Sequence, residues 1–112
     1  MIHSMRVSLI GFKVFATRVF DKWCRKERIA DRALWDAVNR ADLGLIEANL
    51  KGSLIELRVA RGGAGKSGGY RIILAYKVRD RAFFLYGFSK NDRAIIGEEE
   101  EEGYAEYGAI LL

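Results

Sequence analysis

Residues 70 to 89 read "YRIILAYKVRDRAFFLYGFS", and whether they form a helix or two strands settles the architecture. The first nine alternate. Tyr70, Ile72, Leu74 and Tyr76 fall on one face of a strand, and Arg71, Ile73, Ala75 and Lys77 on the other. "RDR" makes a tight turn, and "AFFLYGF" is apolar on both faces, as suits a strand inside a sheet. Upstream, "SLIELRVAR" alternates Ile55, Leu57 and Val59 with Glu56, Arg58 and Ala60. Three such strands in succession predict an antiparallel meander.

Before the meander the period changes. "VSLIGFKVFA" is β-rich and predicts a first strand. Thr17 then stands as an N-cap before Val19, Phe20, Trp23 and Cys24 at helical spacing. Asp31 is placed as the cap of a second helix striped by Leu34, Trp35, Val38 and Ala41, and Gly44 stops it. Two amphipathic helices in succession predict a helical hairpin laid on one face of the sheet. The expected class is α+β, ordered β-α-α-β-β-β-α. Its units are an extension over residues 1–11, a domain over 12–97, and an acidic tail or short helix over 98–112. For the glutamate run itself, disorder is the simpler reading, and an acidic arm lying on a basic face is the other.

The chain has 112 residues, half of them hydrophobic and 30% charged, which suits one globular domain with one core. One cysteine, Cys24, and one histidine, His3, provide neither a disulfide framework nor a zinc cluster. No apolar run approaches the ~20 residues of a membrane span, and no signal-peptide pattern opens the chain, so a cytoplasmic protein is expected. The net charge of +4 hides an asymmetry. Residues 98–112 carry six acidic side chains and no basic one, which leaves 19 basic against 9 acidic in the first 97. That excess favours a polyanionic partner.

The stretch "GGAGKSGGYR", residues 62 to 71, invites a phosphate-loop reading, but Ala60 stands where that motif needs glycine, and a strand follows rather than a helix. The alternative is a glycine-rich loop whose backbone approaches a nucleic acid closely. Strand alternation also sets Glu56, Arg58, Arg71 and Lys77 on the face away from the helix pair, with Lys66 beside it. Like charges side by side repel, so such a face suits a ligand, although exposed strands also carry Lys and Arg for solubility.

"ELRVAR" together with "SGGYRIILAYKVRDRAFFLYGFSKNDR" resembles the RelE/ParE superfamily of bacterial toxins, and more closely its small RelE/HigB-like branch. In that branch a glycine-rich loop precedes the third strand and "FLYGFSKNDRA" is the other recurring block; "RVFDKWCRKERIADRALWDAV" fits its paired helices. The resemblance spans roughly residues 12 to 97; residues 1–11 look like an extension, and Met5 is a possible second start. It implies a microbial-ribonuclease-like fold and the toxin of a type II toxin–antitoxin pair. Such a toxin cuts mRNA, often on the ribosome, and an antitoxin protein silences it. No metal and no cofactor are implied.

The reaction is attack of a ribose 2′-hydroxyl on the neighbouring phosphate, which needs a base, an acid and cations. Carried over by position, Arg71 matches the arginine that holds the scissile phosphate. Arg58 matches a strand arginine that binds RNA backbone or a neighbouring acid. Arg61 and Lys66 are basic loop residues for substrate phosphates, Lys66 also a candidate for proton transfer. Lys90 and Arg93 match basic residues of the last block.

Three positions depart from the family pattern: Glu56 stands for a lysine, Asn91 for an arginine and Gly97 for a catalytic tyrosine. Two accounts remain open. Glu56 acts as general base with Arg71 and Lys66 as partners, or the protein binds RNA, ribosome or antitoxin without cutting. A gyrase inhibitor of the ParE kind is a third. Arg71 paired with Glu56 as a purely structural bridge is the plain alternative for those two residues. Tyr104 or Tyr107 supplies a missing group only if the tail folds back over the site.

Overall fold

The computed structural model describes residues 2–7, 13–60, 69–78, 80–93 and 95–112, and of residues 2–7 the backbone alone. In chain order these form β1 (Ile2–Val7), β2 (Lys13–Thr17), α1 (Arg18–Glu27), α2 (Asp31–Asp42), β3 (Ala48–Asn49), β4 (Leu54–Val59), β5 (Tyr70–Lys77), β6 (Arg81–Ser89) and α3 (Glu98–Leu111). The strands make one sheet in the order β1-β2-β6-β5-β4-β3. The α+β fold expected from the sequence is what the structure shows.

The meander is antiparallel, with Leu57 opposite Ile72 and Ile72 opposite Gly87. One pair differs from the expected antiparallel sheet: β2 runs parallel to β6, Lys13 opposite Arg81 through Ala16 opposite Phe84. The helix pair and three strands intervene between them, so no hairpin dictates their relative direction. β1 adds a strand outside β2, antiparallel to it.

Alternation divides the core between two faces. Leu57, Ile72, Leu74 and Phe84 pack with Phe20, Leu34 and Val38 of the helix pair. Leu54, Ile73, Ala75 and Phe83 pack with Ile96 and, from α3, Tyr104 and Leu111. Both faces of the sheet therefore carry helices.

Thr17 caps α1 as the sequence predicts, accepting the Phe20 N–H at 3.2 Å. Val19 departs from its predicted place in the stripe and is 71% exposed. It precedes Phe20 by one residue, a turn of about 100° away from the buried face. The cap of α2 is the backbone of Ala30 rather than Asp31, whose carboxylate lies in the first turn, favourable for the helix dipole. Gly44, at φ +78°, ends that helix. On β6, Gly87 makes room for an indole, since a Cβ there would stand 2.2 Å from the Trp23 ring. Trp23 in turn meets Tyr70 edge-on at 5.3 Å.

The glutamate run, read as disordered from its charge, forms the first turn of α3. Mutual repulsion is offset there because four of the carboxylates sit at the positive end of the helix dipole. Glu100 also accepts the Gly97 N–H at 3.0 Å, one of the donors that a helix start leaves unsatisfied. No helix of the described residues is long and apolar enough to cross a membrane.

Candidate functional site

Arg71 lies near the start of β5, on the face that also carries Ile73 and Ala75. Its side chain is only 8% exposed. A buried guanidinium keeps its charge and requires charged partners. Among the described residues it has two: Nη1 is 2.5 Å from Glu47 Oε1 and 3.9 Å from Glu56 Oε2. Glu56 is on β4 opposite Ile73, which sets it diagonal to Arg71, within reach of a long side chain. Glu47 comes from the segment between α2 and β3, and its N–H donates to the Glu56 carbonyl at 2.9 Å. One backbone hydrogen bond thus seats the two glutamates side by side.

Their environments push the two carboxyls in opposite directions. The hydrogen bond from Arg71 holds Glu47 below the usual carboxylate value; Arg71, Arg58 and Lys90 charges act the same way against partial desolvation. Burial pushes Glu56 up; the negative charges of Glu47 and Glu101 add to this and Arg71 opposes it. The result is one carboxylate committed to an ion pair and one carboxyl more ready to hold a proton. Paired groups with separated affinities are what acid–base chemistry uses.

The structure brings Arg71, Glu56, Arg58 and Lys90 together. Arg58 is opposite Arg71 in the β4–β5 register, and its carbonyl accepts from Arg40 Nη2 at 2.7 Å. Lys90 is exposed just beyond β6, its N–H donating to the Gly69 carbonyl at 3.3 Å. Arg61 and Lys66 lie outside the described residues.

Arg93 is placed one strand over and is engaged there. Its guanidinium contacts Glu100 at 3.0 and 2.5 Å and the Tyr86 hydroxyl at 3.3 Å. It sits 5.7 Å from the centroid of Phe88, the residue opposite Arg71. The ion pair pushes Arg93 up and, with the Gly97 N–H, holds Glu100 down at about 2. The tail does fold back over this face: Tyr104 stacks on Tyr86 at 5.5 Å. Tyr104 also lines an apolar groove, together with Tyr107, Thr17, Arg18, Val19 and Leu85. Of the departures from the family pattern, Asn91 donates its N–H to Ser89 Oγ at 3.2 Å, and Gly97 precedes α3.

Glu47 is the residue that sequence reasoning missed. It belongs to no periodic run, and nothing around "LIEANL" signals that its carboxylate meets Arg71. Among the described residues, no group of three or more His, Cys, Asp or Glu is placed to hold a metal ion.

A protein-family model described as the RelE toxin of the RelE/RelB toxin–antitoxin system matches residues 12–112. No curated protein matches the chain.

Proposed function

The chain belongs to the RelE toxin family, and from that premise we propose that it is an endoribonuclease that cuts mRNA on the ribosome without a metal and so stops translation. Arg71 binds the scissile phosphate through the fork that matches phosphate oxygens. Glu56 accepts the proton of the ribose 2′-hydroxyl. The freed oxygen attacks phosphorus, the bond to the 5′ oxygen breaks, and Lys66 supplies the proton that the leaving oxygen takes. Arg58, Arg61, Lys90 and Arg93 bind the RNA backbone on either side. An antitoxin protein is the cognate partner, and the cytoplasm is the site of action.

The observation that carries this reading is the buried Arg71 beside a carboxyl of raised proton affinity, with Arg58 and Lys90 acting on the same cluster. A non-catalytic RNA or antitoxin binder is the second reading, favoured by the two carboxylates already paired with Arg71. Induced expression of wild type and Arg71→Ala in a bacterial host, with growth followed and RNA 5′ ends mapped, separates the two. Growth arrest with discrete new ends, both lost in the variant, supports the nuclease. Soluble wild-type protein with healthy growth and intact RNA supports the binder, and growth arrest with intact RNA points to the gyrase inhibitor instead.

A further inference from the structure

We propose that Glu47 is the positioning residue of this site: its carboxylate takes up the Arg71 guanidinium and so keeps Glu56 from being consumed by that ion pair. The inference rests on the nuclease reading above and adds a group to it. Both contacts fall on one nitrogen of Arg71, and Glu47 is the nearer by a wide margin, 2.5 against 3.9 Å. The backbone bond from the Glu47 N–H to the Glu56 carbonyl fixes which glutamate stands where.

Consider the cluster without Glu47. Arg71 remains charged and buried, and the next carboxylate within reach is Glu56. Drawn into the pair, Glu56 becomes a poor base, because a carboxylate held by a guanidinium gives up its proton too readily. With Glu47 present, that demand is met elsewhere. Among the described residues, the charged groups acting on Glu56 are Arg71 from β5, Glu47 from the segment before β3 and Glu101 from α3. Arg58 and Lys90, with Arg71, act on Glu47.

The two glutamates also differ in access. The Glu47 side chain is 39% exposed and that of Glu56 12%. An incoming phosphate can displace the exposed carboxylate from Arg71 and leave the buried one where it is. Glu47 thus occupies, in the free protein, the place on Arg71 that RNA phosphate takes. Arg71 is kept oriented meanwhile, and Glu56 is kept available.

The test is a carboxyl-carbon NMR titration of full-length wild type and Glu47→Gln, with thermal melts to confirm that both fold. The titration midpoint of Glu56 is expected to move to lower pH in the variant. An unchanged or higher midpoint overturns the inference. RNA cleavage against pH gives a second readout. Glu47→Gln should shift the acid limb to lower pH and lower the plateau by less than the about 10²-fold that loss of the base itself costs. A uniform drop at every pH, with the limb unmoved, marks a structural residue only and also overturns it. If wild type cuts no RNA, the nuclease reading fails and the NMR titration still decides the role of Glu47.

Discussion

Glu100 grips Arg93 with both carboxylate oxygens, Oε2 on Nη1 at 3.0 Å and Oε1 on Nη2 at 2.5 Å. The same Oε1 receives the Gly97 N–H, so one side chain both opens α3 and fastens it to the turn after β6. If Arg93 is to meet RNA phosphate, Glu100 must release it. Glu100→Gln should therefore tighten RNA binding and steepen its salt dependence. Fluorescence anisotropy with a short single-stranded RNA at several salt concentrations measures both, and unaltered binding would remove Arg93 from the interface.

The same pair predicts an acid transition. Hydrogen bonds from Arg93, then the Gly97 N–H, lower the Glu100 carboxyl from its ordinary 4.5 to about 2. A carboxylate with a depressed value stabilises the folded form above its unfolded value and stops doing so as it takes up a proton. The hold on α3 is thus complete above about pH 4.5 and is lost as pH falls toward 2. Tyrosine fluorescence should report it through the stacked Tyr86 and Tyr104. Glu100→Gln should lack that step.

Arg71→Lys should fail nearly as completely as Arg71→Ala, because a lysine offers a point charge where the scissile phosphate needs a planar fork. Glu56→Gln keeps the volume and removes the base. It should lower cleavage by about 10²–10⁴-fold while leaving RNA affinity nearly unchanged. Single-turnover cleavage beside equilibrium binding distinguishes the two effects. An active Glu56→Gln protein would end the general-base assignment.

Gly87→Ala puts a methyl group into the Trp23 ring, with three ring atoms between 2.2 and 2.6 Å of the new Cβ. The cost should be about 1–3 kcal/mol, the range for overpacked cores. Thermal denaturation should show a melting temperature lower by several degrees. Because Trp23 also leans on Phe20 and Tyr70, shrinking it is not a free remedy.

Cys24 is buried, and its thiol is pushed up to about 12 by burial first, then by Asp21 and Asp31. The thiolate is the reactive form. An aromatic disulfide reagent at pH 8 should leave the folded protein unmodified and react with one thiol per chain in denaturant.

How much of this was legible beforehand depended on whether the signal was local. Strand alternation placed Arg71 and Glu56 on one face and Tyr70, Ile72 and Leu74 on the other, because side-chain direction in a strand is set by counting. Local residue preference also found the Thr17 cap and the Gly44 stop, both short-range features. It was blind to the parallel β2–β6 pair, which depends on where a distant strand docks. It was blind to Glu47 for the same reason, since a carboxylate from an aperiodic segment is placed by the sheet it joins. The glutamate run misled in another way. Like charge argued for disorder, while the position of those residues at a helix start and the reach of Glu100 to Arg93 decided otherwise.

The position of β6 bears on when the molecule can come into being. It is the strand that β2 and β5 both pair with, yet synthesis delivers it after every other strand. A nascent chain that ends before Arg81 has two sheet fragments with no common seam, and Val14, Ala16 and Leu74 lack the Phe84 they pack against. Contacts this far apart in sequence form late and slowly. Until Arg81–Ser89 has been made, the sheet lacks its seam, and Arg71, which sits opposite Phe88, cannot take its place beside the two glutamates.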